Sequence, residues 1–101
     1  MIKKTILGLM IASSTSLFAH TAIMSCFDNG DNTITCEGGF SDGSSASGVV
    51  FTIEQDKNVV LKTKLSEDSD ITFDKLNGEF TVVFDAGEGH AIRISSSDIT
   101  E

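Results

Sequence analysis

The chain has 101 residues, with seven Lys+Arg against fifteen Asp+Glu and no Pro, Trp or Tyr, for a formal net charge of −8. A field of that sign repels nucleic acid and anionic membrane surfaces and attracts cations or a basic patch on a partner, which argues against a DNA binder. The length accommodates one small domain, too little for a multi-pass transporter or a nucleotide-binding α/β enzyme.

The first segment reads as a secretory signal peptide. Met1-Ile2-Lys3-Lys4 is a short positive start, Ile6 to Ala12 is apolar, and Leu17-Phe18-Ala19 ends in the small residue a signal peptidase accepts. The apolar run falls short of the roughly 20 residues of a membrane span. The expected organisation is therefore a signal-peptide helix over 1–19 and one domain over 20–101, delivered to the periplasm. Loss of Lys3 and Lys4 takes the net charge to −10.

Beyond the cut, apolar and polar residues alternate with a period of two. Val49-Phe51-Ile53 stand against Val50-Thr52-Glu54, and Val60-Lys62-Lys64 against Val59-Leu61-Thr63-Leu65. Phe80-Val82-Phe84 alternate with Thr81-Val83-Asp85, and Ile92-Ile94 with Ala91-Arg93-Ser95. Such alternation in β-branched and aromatic residues marks half-buried strands. Strands are expected at 22–28, 33–40, 48–54, 59–65, 71–74, 79–85 and 90–95, with no helix beyond residue 19. Turn residues separate them: Asp28-Asn29-Gly30-Asp31-Asn32, Gln55-Asp56-Lys57-Asn58, Leu76-Asn77-Gly78-Glu79 and Ala86-Gly87-Glu88-Gly89. The Ser- and Gly-rich segment 41–48 reads as an inter-strand loop. About seven short strands at roughly ten-residue spacing predict an all-β, antiparallel, immunoglobulin-like sandwich. A domain this small buries only about two thirds of its unfolded surface, so a covalent staple or a bound ion would strengthen it.

Cys26 and Cys36 are placed for such a staple. They oppose one another if the first hairpin is centred on Asp31, and an exporting chain reaches an oxidising compartment where such a pair is bridged. Two buried free thiols and thiolate ligation of a metal stay open beside the disulfide. Ile23-Met24-Ser25-Cys26 also faintly resembles a lipoprotein cleavage box, but Cys26 lies fourteen residues past the apolar run.

Cleavage after Ala19 has a chemical consequence. His20 becomes the amino-terminal residue, and its α-amine and ring Nδ1 together close one chelate ring on a metal. An α-amine titrates near pH ~8, so it is freed at modest cost, and amine and imidazole nitrogens suit Cu(II), Ni(II) and Zn(II). The other histidine, His90, follows a loop in which Glu88 and Asp85 offer oxygen ligands. Met24 is an even four residues from His20, hence on the same face of a strand, and its thioether suits Cu(I). The candidate metal ligands are therefore His20, His90, Glu88, Asp85 and Met24. The plainer readings stand beside them: a chance histidine at the cut, an exposed His90, a core Met24 and a solvated acidic surface. Asp28-Asn29-Gly30-Asp31-Asn32 lacks the spacing of an EF-hand loop. No Ser/His/Asp set, His-Glu-x-x-His motif or small-molecule substrate site is legible, so no catalytic residue is assigned and the chain reads as a non-enzyme.

The segment from Phe80 to His90, followed by Asp98-Ile99, resembles the end of small exported domains that accompany bacterial nickel and cobalt uptake transporters. Phe27-Asp28-Asn29-Gly30-Asp31 and Glu37-Gly38-Gly39-Phe40-Ser41-Asp42-Gly43-Ser44-Ser45-Ala46 resemble their first hairpin and following loop. Those domains are similar to carboxypeptidase regulatory-like, transthyretin-like sandwiches, and the likeness spans residues 19–99. It implies a periplasmic accessory module that captures nickel or cobalt for a membrane-embedded transporter, with His20 and His90 as ligands and copper as chemical competitor. The cysteine pair departs from the pattern. The alternative is a structural interaction domain that docks on an envelope or membrane partner without metal.

Overall fold

The structure is a computed structural model that describes residues 21–87 and 91–101. The expected signal peptide, His20 and the segment 88–90 lie outside the described residues. The described residues form seven strands: β1 (Ala22–Asp28), β2 (Thr33–Phe40), β3 (Val50–Gln55), β4 (Asn58–Lys64), β5 (Asp70–Asp74), β6 (Thr81–Asp85) and β7 (Ala91–Ser95). One 3₁₀ turn follows at Ser96–Asp98, a single exception to the helix-free expectation, opened by Ser95 whose hydroxyl accepts from Ser97 N.

The strands make two antiparallel sheets, β1-β2-β5 and β4-β3-β6-β7. This is the connectivity of an immunoglobulin-like sandwich in which the fourth strand has joined the sheet of the third. Aromatic contacts across the core fix how the layers superpose. Phe40 of β2 lies 6.2 Å from Phe84 of β6, and Phe73 of β5 lies 5.9 Å from Phe51 of β3. β1 lies against β7 at the far side. Ile34, Cys36, Phe51, Ile53, Val82 and Phe84 are fully enclosed between the sheets. They are the inward members of the alternating runs, as the period of two requires.

Three local departures have physical causes. β3 begins at Val50 because Gly48, at φ +79°, and Val49, whose N–H bonds Ala46 O at 3.1 Å, complete a turn first. Within the loop 41–48, Ala46 is buried in the core and its N–H donates to Ser69 Oγ at 2.9 Å, so the loop is anchored rather than merely solvated. In the β3–β4 ladder the register shifts at Ile53/Glu54, which sets Leu61 opposite Ile53 but Val59 opposite Glu54. The simple alternation expected for residues 59–65 is therefore broken by a bulge.

The first hairpin is built by its side chains. Asp28 Oδ1 accepts from Gly30 N at 2.8 Å, and Asp31 Oδ1 from Thr33 N at 3.1 Å, while Gly30 and Asn32 take the left-handed conformation. The hairpin so closed sets Cys26 opposite Cys36, and the two are bridged. Free thiols and thiolate ligation are thereby set aside.

Candidate metal centre

The ends of the sandwich follow from register. Ala22 pairs with Phe40 on β2, while Phe84 pairs with Ile92 and Asp85 with Ala91. Since Phe40 and Phe84 meet across the core, the start of β1 and the start of β7 share one end of the domain. Thr21 is fastened there by two hydrogen bonds with Ser41: its N–H donates to Ser41 Oγ at 3.1 Å, and its carbonyl accepts from Ser41 N at 2.8 Å. Thr21, just before β1, and Ala91, the first residue of β7, are the described neighbours of His20 and His90 and thus lie at the same end.

Asp85 closes β6 at this end. It is exposed, and its Oδ1 accepts the N–H of Gly87 at 3.1 Å, with Gly87 at φ +110°. That turn needs the freedom of glycine, since a side chain is strained at such φ. Asp85 lies on the outer face of its sheet, in register with Val50 and Ala91. Lys64, opposite Val50 on β4, continues the same row.

Met24 has a different setting. It is half-buried, pairs with Gly38 and packs against the core cluster, so its side chain belongs to the interior face. His20, Glu88 and His90 lie outside the described residues. Among the described residues, no group of three or more His, Cys, Asp or Glu is arranged to hold an ion.

The opposite end carries two open clefts of about 480 and 390 Å³ that share Glu79 and Phe80. Beside the second, Lys75 Nζ donates to Asp28 Oδ2 at 2.7 Å, joining β1 to the chain that leaves β5. That hydrogen bond, reinforced by the Gly30 N–H, holds the Asp28 carboxyl below its ordinary range, and Asp28 in turn raises the Lys75 ammonium. On the outer face of the larger sheet, Arg93 pairs with Glu54. Val83 lies between Thr52 and Arg93 in register and is 7% exposed, yet it is not part of the inter-sheet core. Both ion pairs join residues distant in sequence, and no local motif announces them.

No family model, curated protein or solved structure matches this chain. The likeness to the accessory domains of nickel and cobalt transporters rests on the sequence motifs quoted for it.

Proposed function

We propose that the chain is a periplasmic, non-catalytic module that captures a divalent transition metal, nickel or cobalt, for a membrane-embedded uptake transporter. The observation that carries this reading is the shared position of Thr21 and Ala91 at one end of the sandwich, because each directly adjoins a histidine. The Thr21–Ser41 hydrogen bonds fasten the chain one residue after His20. Asp85 at the same end offers an exposed carboxylate oxygen. If the protein is cut after Ala19, the His20 amine and imidazole supply two nitrogens and His90 a third. A donor set of that kind favours Cu(II) over Ni(II) by the Irving–Williams order, so preference for nickel would come from geometry or from the transporter. The Cys26–Cys36 bridge agrees with an oxidising compartment.

Calorimetry with Ni(II), Co(II) and Cu(II) tests the reading on protein whose first residue is fixed by intact mass. Protein starting at His20 is expected to bind one ion, and protein carrying extra residues before His20 to lose that binding. Equal binding by both forms removes the amino-terminal chelate, and binding by neither removes the metal reading.

A further inference from the structure

Sheet superposition leaves one strand uncovered. β5 lies over β3 through Phe73 and Phe51, and β2 over β6 through Phe40 and Phe84, so the smaller sheet stops one strand short of β4. β4 is consequently exposed from Asn58 to Lys62, with Val59 58%, Val60 51% and Leu61 37% exposed. One side of the domain is thus a step, with β4 projecting below and the β5 edge set back above. Both are terminal strands of their sheets; β5 is capped at Asp70, whose carbonyl accepts from Ser66 N, and its edge is open to a further strand beyond that residue.

The two edges have opposite charge. From Lys57 to Ser66 the chain carries Lys57, Lys62 and Lys64 and no acid. From Glu67 to Asp74 it carries Glu67, Asp68, Asp70 and Asp74 and no base. β4 and β5 are joined by residues 65–69 alone, where Ser66 N–H bonds Asp70 O at 2.9 Å, so the chain turns back and β5 runs opposite to β4.

A two-fold axis parallel to the strands exchanges upper and lower layers and turns the step onto itself. It brings the projecting β4 of each copy beside the recessed β5 of the other, in antiparallel direction, so each sheet continues into its partner's opposite sheet. We propose that the chain forms a two-fold dimer in which the β4 edge of each copy adds to the β5 edge of the other. Lysines then meet aspartates at both contacts, and Leu61, which shares the inward face with buried Ile53, is covered. The contact is isologous and closes on itself. Pairing of β4 with β4 is disfavoured instead. A pair centred on Lys62–Lys64 sets lysine against lysine, and one centred further back meets the bulge at Val59–Leu61.

Sedimentation velocity over a concentration series, on protein in the form in which it accumulates after export, tests the proposal. Two double variants at exposed positions are compared with the parent: Lys62→Glu with Lys64→Glu, and Asp68→Lys with Asp74→Lys. Circular dichroism verifies that each retains the β fold. The parent is expected to dimerise, and each double variant alone to dimerise at least about tenfold more weakly, because like charges then face one another. Mixing the two variants gives a heterodimer with one contact as in the parent and the other with its signs exchanged, so the mixture is expected to dimerise as the parent does. A parent that stays monomeric to millimolar concentration, a dimer indifferent to both reversals, or a mixture that remains monomeric would each overturn the proposal.

Discussion

Gly38 on β2 lies against the ring of Phe84 on β6: a Cβ at Gly38 would stand 2.9 Å from Phe84 Cε1 and 2.9 Å from Leu65 Cδ1. The absent side chain lets the two sheets approach where Met24 and Phe84 close the core. Gly38→Ala is therefore expected to destabilise by about 1–3 kcal/mol, the usual range for overpacking an enclosed site. Gly39→Ala is the internal control, since nothing stands within 4 Å of a Cβ there. Chemical denaturation of both variants checks the contrast, and equal stabilities would show that the sheets can part without cost.

The Cys26–Cys36 bridge closes a ten-residue separation. On the chain-entropy estimate it stabilises by roughly 2–3 kcal/mol, a large fraction of the total for so small a domain. A reducing agent should lower the denaturation midpoint of the parent and leave a Cys26→Ala/Cys36→Ala variant unmoved. Because Cys36 is fully buried, the double variant should itself be weaker than the reduced parent, the lost sulfur leaving a gap in the core. Intact mass provides the simplest check, as the bridged chain is lighter by its two thiol hydrogens.

Much of this architecture was legible because strand signals are local. The alternating runs and the turns around Gly30, Asp56 and Gly78 place seven strands within two residues of their observed ends, and counting outward from Asp31 pairs Cys26 with Cys36. The bulge at Ile53/Glu54 was not legible, since the sequence shows only a continuous run of β-formers from Val59 to Leu61. The step at β4 was hidden for a deeper reason: it depends on which strand of one sheet covers which strand of the other, a non-local outcome of packing Phe73 on Phe51. Candidate metal ligands were legible by residue type alone. Register resolves two of them, Met24 to the inner face and Asp85 to the exposed end, whereas side-chain convergence of histidines cannot be read from spacing along different strands.

The Asp28–Lys75 pair gives stability a defined pH dependence. Asp28 is held below its ordinary value chiefly by the Lys75 hydrogen bond, so its contribution is complete above the ordinary carboxylate range and is lost as pH falls through the lowered value. Lys75 is raised chiefly by the same bond, so its contribution is complete below the ordinary lysine range and is lost as pH rises through the raised value. Asp28→Asn should remove both dependences, lowering stability slightly at neutral pH and flattening the curve at the acid end. Thermal melts from acid to alkaline pH, parent against variant, measure this. Parallel curves would show that the pair is too well solvated to matter.

The metal reading has its own pH signature, distinct from that of the ion pair. Three nitrogens must each be unprotonated to bind: two imidazoles, ordinarily near pH ~6.5, and an α-amine near ~8. Protons compete with the ion for every one of them, so affinity for Ni(II) should fall steeply as pH drops through about 6–7, faster than one lost imidazole alone would produce. His90→Ala should weaken Ni(II) binding at least about tenfold at neutral pH and make the remaining pH dependence shallower, because one competing proton is gone. Asp85→Asn should weaken binding less, because it removes a single oxygen donor and none of the nitrogens. Glu79→Ala, at the far end of the sandwich, should not weaken it. Titration calorimetry at a series of pH values on these four proteins separates the cases. If the His90→Ala variant keeps both affinity and slope, the strand-start end is not a shared site and the ion is held without His90.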